Sequence, residues 1–123
     1  CSLVENAGAL SVDLGDGLAF PVPPERTGRY RPHLGNARLL FGLRPEHLTE
    51  MRAQTAANQH PFEVTLEVTE PMGMDTLVFF RVKGIDICGR TNPAANAQAG
   101  QPMKMLADLD HMHLIDEAGG KVL

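Results

Sequence analysis

Residues 62–69 read Phe-Glu-Val-Thr-Leu-Glu-Val-Thr, with apolar and polar side chains in strict alternation. Successive side chains of a strand point to opposite faces, so this period of two predicts a half-buried antiparallel strand. A shorter alternation runs through 9–14, and Gly15-Asp16-Gly17 after it supplies the residues a hairpin turn needs. Residues 18–22 return, and Pro21, Pro23 and Pro24 end the pair because proline cannot donate to a strand ladder. Residues 25–36 are polar, contain Gly28, Pro32 and Gly35, and read as a loop. An apolar run at 37–43, interrupted by Arg38, predicts a buried strand that stops at Arg44-Pro45. Pro45 suits the first position of one short helix through Glu46, Leu48 and Met51, although 53–59 carries no apolar stripe to prolong it.

Beyond residue 69, Pro71-Met72-Gly73 turns the chain and 76–82 comes back. This return strand is apolar on both faces: Leu77 and Phe79 on one, Val78, Phe80 and Val82 on the other. It therefore belongs at the centre of a sheet or under a partner. Lys83-Gly84 leads to a further alternating strand at 85–88, and 92–102 reads as an exposed connection. Strands follow at 103–107, 111–115 and 121–123, the last two forming a hairpin around 116–120. Short strands at turn-punctuated intervals predict an all-β chain, a small barrel or sandwich.

A length of 123 residues fits one domain, and 12 glycines with 9 prolines agree with many turns. The formal charge of −4 counts against a general nucleic-acid binder, which usually presents a basic face. No apolar span of about 20 residues is present, so no transmembrane helix is predicted. Cys1 and Cys88 lie far apart, give no disulfide framework, and Cys1 is expected to be mobile. The opening Cys1-Ser2-Leu3-Val4-Glu5-Asn6 has neither the basic nor the apolar part of a signal peptide.

Candidate chemistry is sparse. The phosphate-loop, dinucleotide-binding, nucleophile-elbow and Cys-x-x-Cys patterns are all missing. His111-x-His113 on one strand would put two imidazoles on one face, with Asp108, Asp110 or Asp116 as a third metal ligand. The competing account has one histidine packed and the other solvated, and no metal is assigned. Cys88 at an alternating position reads as a small buried hydrophobe. Arg26, Arg29, Tyr30, Arg31 and Arg38 form a basic cluster that could grip a phosphodiester and stack a base, or simply be a solvated loop. Glu63, Glu67 and Glu70 read as the wet side of a sheet. No catalytic residue emerges.

More specific is Phe41-Gly42-Leu43-Arg44-Pro45-Glu46-His47-Leu48. It resembles the Gly-Ile-Arg-Pro-Glu-His-Leu signature that follows the nucleotide-binding domain in sugar-importing ABC transporter ATPases of the maltose type. The likeness continues in order. Residues 67–78, Glu-Val-Thr-Glu-Pro-Met-Gly-Met-Asp-Thr-Leu-Val, resemble that family's strand, turn and strand around Val-Val-Glu-x-Leu-Gly-x-Glu-Thr. Gly100 resembles the glycine before its penultimate strands. Asp108-Leu109-Asp110-His111-Met112-His113-Leu114-Ile115-Asp116 resembles its Asp-Pro-x-x-x-His-Leu-Phe-Asp close, and Gly119-Gly120-Lys121-Val122-Leu123 its usual end. Asn6, Gly8 and Leu10 fall where the family leaves its ATPase domain. Departures are mild: Asp75 for Glu, Met72 for Leu, Ile115 for Phe, and Leu109 for proline.

The resemblance implies a C-terminal regulatory domain of the TOBE or OB type: a small OB-like antiparallel β-barrel spanning 1–123 as a single domain. Walker A, Leu-Ser-Gly-Gly-Gln and Walker B motifs are missing, so the upstream ATPase domain is not in this chain. It implies no catalysis and no cofactor in these residues, ATP and Mg²⁺ belonging to that upstream domain. Arg44, Pro45, Glu46, His47, Gly73 and His113 become signature positions with a structural or subunit-contact role, Arg44 and Glu46 as a strand-end ion pair. The implied partners are a second copy of the ATPase subunit, membrane permease subunits through the missing domain, and in some members a regulatory protein, but no nucleic acid. The implied place is the cytoplasmic side of the inner membrane, peripherally bound. Two rivals stand beside this: a free-standing oligonucleotide-binding barrel using Arg29, Tyr30 and Arg31, and a small-anion or sugar sensor.

Overall fold

A computed structural model describes residues 1–52 and 57–123. In chain order the strands are β1 (Ser2–Asn6), β2 (Ala9–Gly15), β3 (Leu18–Pro21), β4 (Leu39–Gly42), β5 (Leu48–Glu50) and β6 (Gln59–Thr65). They continue with β7 (Val68–Pro71), β8 (Thr76–Val82), β9 (Ile85–Thr91), β10 (Pro102–Asp108), β11 (His113–Asp116) and β12 (Lys121–Val122). All pairings among the described residues are antiparallel, in four three-stranded sheets ordered β1-β2-β3, β12-β11-β4, β5-β10-β6 and β7-β8-β9. No one of these sheets closes on itself. They share one core, in which Val12, Tyr30, Val78, Met105, Ala107, Met112 and Leu114 are fully buried. Phe20 sits at its centre, with ring centroids 5.7 Å from Phe41 and 5.3 Å from Phe62. The all-β expectation holds.

The strongest alternation, 62–69, serves two sheets rather than one. Up to Thr65 the chain pairs with β10; at Leu66 it exchanges hydrogen bonds with Gln101 and Gly100. The Glu67 N–H then donates to the Phe79 carbonyl, and β7 continues on β8. The inward alternation of Phe62, Val64 and Leu66 ends at this change of partner: the chain bends at Glu67, and Val68 emerges exposed on β7. β8 is central in its sheet, as its two apolar faces require. Val78, Phe80 and Val82 are buried inward, while Leu77 and Phe79 remain half-buried on the outer face.

Three expectations need correction. First, 25–36 is not a loop: residues 24–33 form a short helical segment, Thr27–Tyr30 flanked by the 3₁₀ turns Pro24–Arg26 and Arg31–His33. Tyr30 is its one buried residue, and a helix anchored at one point shows no apolar stripe. Second, Pro45 starts a 3₁₀ turn, Pro45–His47, rather than a helix, because Leu48 is drawn into β5 beside β10; residues 53–56 of that stretch lie outside the described residues. Third, the N-terminus is anchored rather than mobile. β1 pairs with β2, Leu3 is buried, and the Cys1 backbone nitrogen donates to the Leu39 carbonyl at 2.9 Å. The β1–β2 turn uses Ala7 and Gly8 at φ of 52° and 83°. Alanine rarely adopts positive φ, so this hairpin carries no turn signal.

Gly89 marks a close crossing. A Cβ there would lie 2.8 Å from the Leu48 carbonyl oxygen and 2.8 Å from the Met105 methyl. β9 passes against β5 and the Pro45–His47 turn only because no side chain intervenes.

Candidate functional site

Register places the two signature segments side by side. β4 pairs with β11 through Gly42 and His113, and β5 pairs with β10 through Leu48 and Ala107. The chain travels from one ladder to the other twice, through 43–47 and 108–112, five residues each time. Both connections join the same two sheets, so they run as neighbours although about 65 positions separate them in sequence.

Each connection contains a 3₁₀ turn. In Pro45–His47, proline takes the first position, where its missing N–H costs nothing, and the His47 N–H donates to the Arg44 carbonyl at 2.9 Å. In Leu109–His111, the Asp108 carboxylate caps the turn by accepting the Asp110 N–H at 3.3 Å. Buried Leu109 and Met112 pin this second turn to the core. Arg26, from the helical segment, donates from its guanidinium to the carbonyl oxygens of Asp110 and Met112. Asn58 donates to the Asp110 carboxylate at 2.6 Å and to the Glu25 carboxylate at 3.0 Å, and its carbonyl accepts the Leu109 N–H at 3.0 Å.

The two turns end on histidines, and these rings meet. His47 and His111 stack with centroids 3.9 Å apart and planes 5° apart. Asp108 Oδ2 lies 3.7 Å from His111 Nε2. A cleft of about 210 Å³ opens here, lined by Arg44, His47, His111 and His113. Arg44 stands 3.9 Å from Glu46, and at 80% side-chain exposure that pair adds little stability. Of the signature positions, Arg44, His47 and His113 line this cleft, and Pro45 and Glu46 form the turn that carries His47 to it. Gly73 does not: it turns the chain between β7 and β8 at φ 91°, and it is not among the residues lining the cleft. His111 and His113 do not share a strand face, since His111 ends the turn and His113 begins β11. The partner of His111 is His47, which no local spacing could reveal. The contacts of Arg26, singled out only for its charge, and of Asn58 were equally invisible, because both act on carbonyls or amides distant in sequence.

The fold ties much of the basic cluster into internal contacts, with Arg26 and Arg29 both donating to the Tyr30 hydroxyl. Arg26 is committed to the second turn, and Arg31 pairs with Glu5 and donates to the Gly8 carbonyl at 3.2 Å. Arg29 donates to the Tyr30 hydroxyl at 3.1 Å and lies over the Tyr30 ring. Tyr30 is fully buried, so its ring offers no platform for a base. Glu63, Glu67 and Glu70 are exposed, as expected for a wet face. Burial pushes the Cys88 thiol above its ordinary value, with Glu70 adding and Arg90 opposing. A raised thiol pKa disfavours the thiolate; contrary to the expectation of a buried hydrophobe, Cys88 is half-buried, on the outer face of the β7-β8-β9 sheet opposite Phe79.

The sequence profile of the TOBE domain matches residues 41–115. Similar curated proteins are the sn-glycerol-3-phosphate import ATP-binding protein UgpC of Chromohalobacter salexigens, 33% identical over 95% of this chain and 30% of that protein, and that of Ralstonia nicotianae, 31% identical over 90% of this chain and 32% of that protein. The trehalose/maltose import ATP-binding protein MalK of Thermococcus litoralis is 26% identical over 69% of this chain and 23% of that protein. The chain therefore spans about a third or less of the length of these relatives. Among solved structures, the cytoplasmic molybdate-binding protein ModG superposes with a TM-score of 0.57 at 17% identity, covering 92% of this chain and 88% of that one. At that identity the likeness speaks for the OB-type fold.

Proposed function

The chain belongs to the TOBE domain family, and on that premise we propose that it is the C-terminal regulatory and dimerisation domain of the ATP-binding subunit of an ABC importer for carbohydrate or glycerol-phosphate-type solutes. The observation that carries this is the 33% identity over 95% of the chain to a glycerol-3-phosphate import ATP-binding protein. The ordered signatures at 41–48, 67–78 and 108–116 support it. Within the proposal, ATP and Mg²⁺ act in the upstream domain, and this domain contributes no catalytic group. The parent subunit works peripherally at the cytoplasmic face with permease subunits; among the described residues no helix is long and apolar enough to cross a membrane.

The outer face of the β7-β8-β9 sheet suits contact with a second copy of the subunit. Exposed Val68 and half-buried Leu77 and Phe79 form an apolar centre. Arg81 with Asp86 at 2.8 Å and Arg90 with Asp75 at 3.8 Å supply a polar rim. An apolar centre within a polar rim is the usual anatomy of a protein interface. Sequencing the coding region upstream of Cys1 tests the assignment. Walker A, Leu-Ser-Gly-Gly-Gln and Walker B motifs in the same reading frame are the expected result. A start codon immediately before Cys1 with no ATPase domain ahead of it overturns it.

A further inference from the structure

We propose that His47, Asp108 and His111 form a binding site for a divalent transition-metal ion of the zinc or nickel kind. Each offers one donor atom, and the three atoms lie within 4.8 Å of one another. The distance between Asp108 Oδ2 and His111 Nε2, 3.7 Å, is too long for a hydrogen bond. It is close to the spacing of two donors on one ion: with bonds of about 2.1 Å in tetrahedral geometry, neighbouring donors stand roughly 3.4 Å apart. A ring nitrogen's lone pair lies in the ring plane, so two imidazoles stacked 3.9 Å apart with planes 5° apart cannot both point at one ion, and binding must open the stack by turning one ring away from the other. Both imidazoles have that freedom, since His47 is half-buried and His111 exposed.

The backbone that carries these donors has much less freedom. Asp108 Oδ1 is occupied by the Asp110 N–H, which leaves Oδ2 facing His111. Arg26 and Asn58 fix the turn that follows Asp108. Such outer contacts orient ligands and raise the affinity of metal sites. Two imidazoles and one carboxylate suit zinc, nickel, copper or cobalt, whereas magnesium and calcium prefer oxygen alone. The fourth position faces the cleft, where His113 or water is available. Arg44 is the nearby cation, and it is turned to solvent beside Glu46. A bound ion would tie the two connections together and with them the β12-β11-β4 and β5-β10-β6 sheets.

Isothermal titration of the chain with ZnCl₂, and separately with MgCl₂, tests the site. The expected result is one zinc ion per chain with no magnesium binding. His47→Gln and His111→Gln should each weaken zinc at least about tenfold and Asp108→Asn should weaken it less, while His33→Gln leaves it unchanged. In parallel, nitrogen-15 spectra of the wild-type imidazoles should show zinc shifting His47 and His111 but not His33 or His60, a readout that needs no variant to fold. No zinc uptake at millimolar concentration, uptake indifferent to both glutamine variants, or shifts confined to other histidines overturns the proposal.

Discussion

Gly89 offers a direct test of how β9 is seated. Its φ is not positive and its backbone is that of an ordinary strand residue, so alanine can take its conformation without strain. The cost of Gly89→Ala is then steric. The new methyl would lie 2.8 Å from the Met105 methyl, whose side chain is fully buried, and 2.8 Å from the Leu48 carbonyl oxygen. A methionine end can swing, but a carbonyl oxygen in β5 moves only with its strand. Overpacking of this kind costs roughly 1–3 kcal/mol. With about 2.1 cal/mol/K of unfolding entropy per residue, ~1 kcal/mol corresponds to ~4 °C for a chain of this length, so Tm should fall by about 4–12 °C. Gly28→Ala is the matched control. Gly28 is exposed in the helical segment with nothing within 4 Å of its Cβ position. There alanine gains about 0.5–1 kcal/mol of helix propensity and should raise Tm by about 2–4 °C. Circular-dichroism melts of both variants decide. Equal shifts, or an unchanged Tm for Gly89→Ala, would refute the close crossing.

Further predictions follow from single groups. Arg26→Gln removes a charged donor from the carbonyls of Asp110 and Met112, and should cost about 1–3 kcal/mol in urea unfolding; a loss below a few tenths of a kcal/mol would contradict the clamp. His60 packs its ring edgewise on Phe20 at 5.9 Å, and burial lowers its pKa from 6.5. The unfolded chain therefore binds the proton more readily, and the contribution of His60, full above pH 6.5, is lost as pH falls below it. His60→Gln should flatten that part of the stability profile, and an unaltered slope would count against the assignment. Cys88 should be alkylated by iodoacetamide more slowly than a free thiol near pH 8, because its thiolate is disfavoured; faster reaction would contradict the raised thiol pKa.

The strands were legible where one face is buried and the other wet, as in β2 and β6, and where both faces are apolar, as in the central β8. They were not legible where local chemistry is atypical: β1, entered through a turn on Ala7, and β5, three residues long. The helical segment escaped because only Tyr30 reports its inward face. Of the site, Arg44, Pro45, Glu46, His47 and His113 were legible as signature positions. Their assembly was not, because it is set by ladder register between strands distant in sequence. The same limit explains the metal pairing. Spacing along the chain favours His111 with His113, whereas the two 3₁₀ turns deliver His111 to His47. Arg26 drew attention for its charge, yet its role lies in the carbonyls it satisfies.

These features also bear on whether the outer face of the β7-β8-β9 sheet and the histidine pair are independent. Gly89 sits opposite Val78 in β8, and its Cβ position touches the carbonyl of Leu48, the residue after His47. The Leu48 carbonyl belongs to β5, which is laddered on β10, so a displacement of β9 toward β5 presses directly on Leu48. His47 would move with it, while the backbone carrying His111 is held by Arg26, Asn58 and the buried Leu109. The stacking distance between the rings is then the quantity that changes. Gly89→Ala displaces β9 without touching any donor atom, so it separates this route from direct loss of a ligand. It should weaken zinc binding by several-fold while leaving the one-ion stoichiometry intact. Unchanged zinc affinity in a variant whose Tm has fallen as expected would show that β9 and the turns move independently.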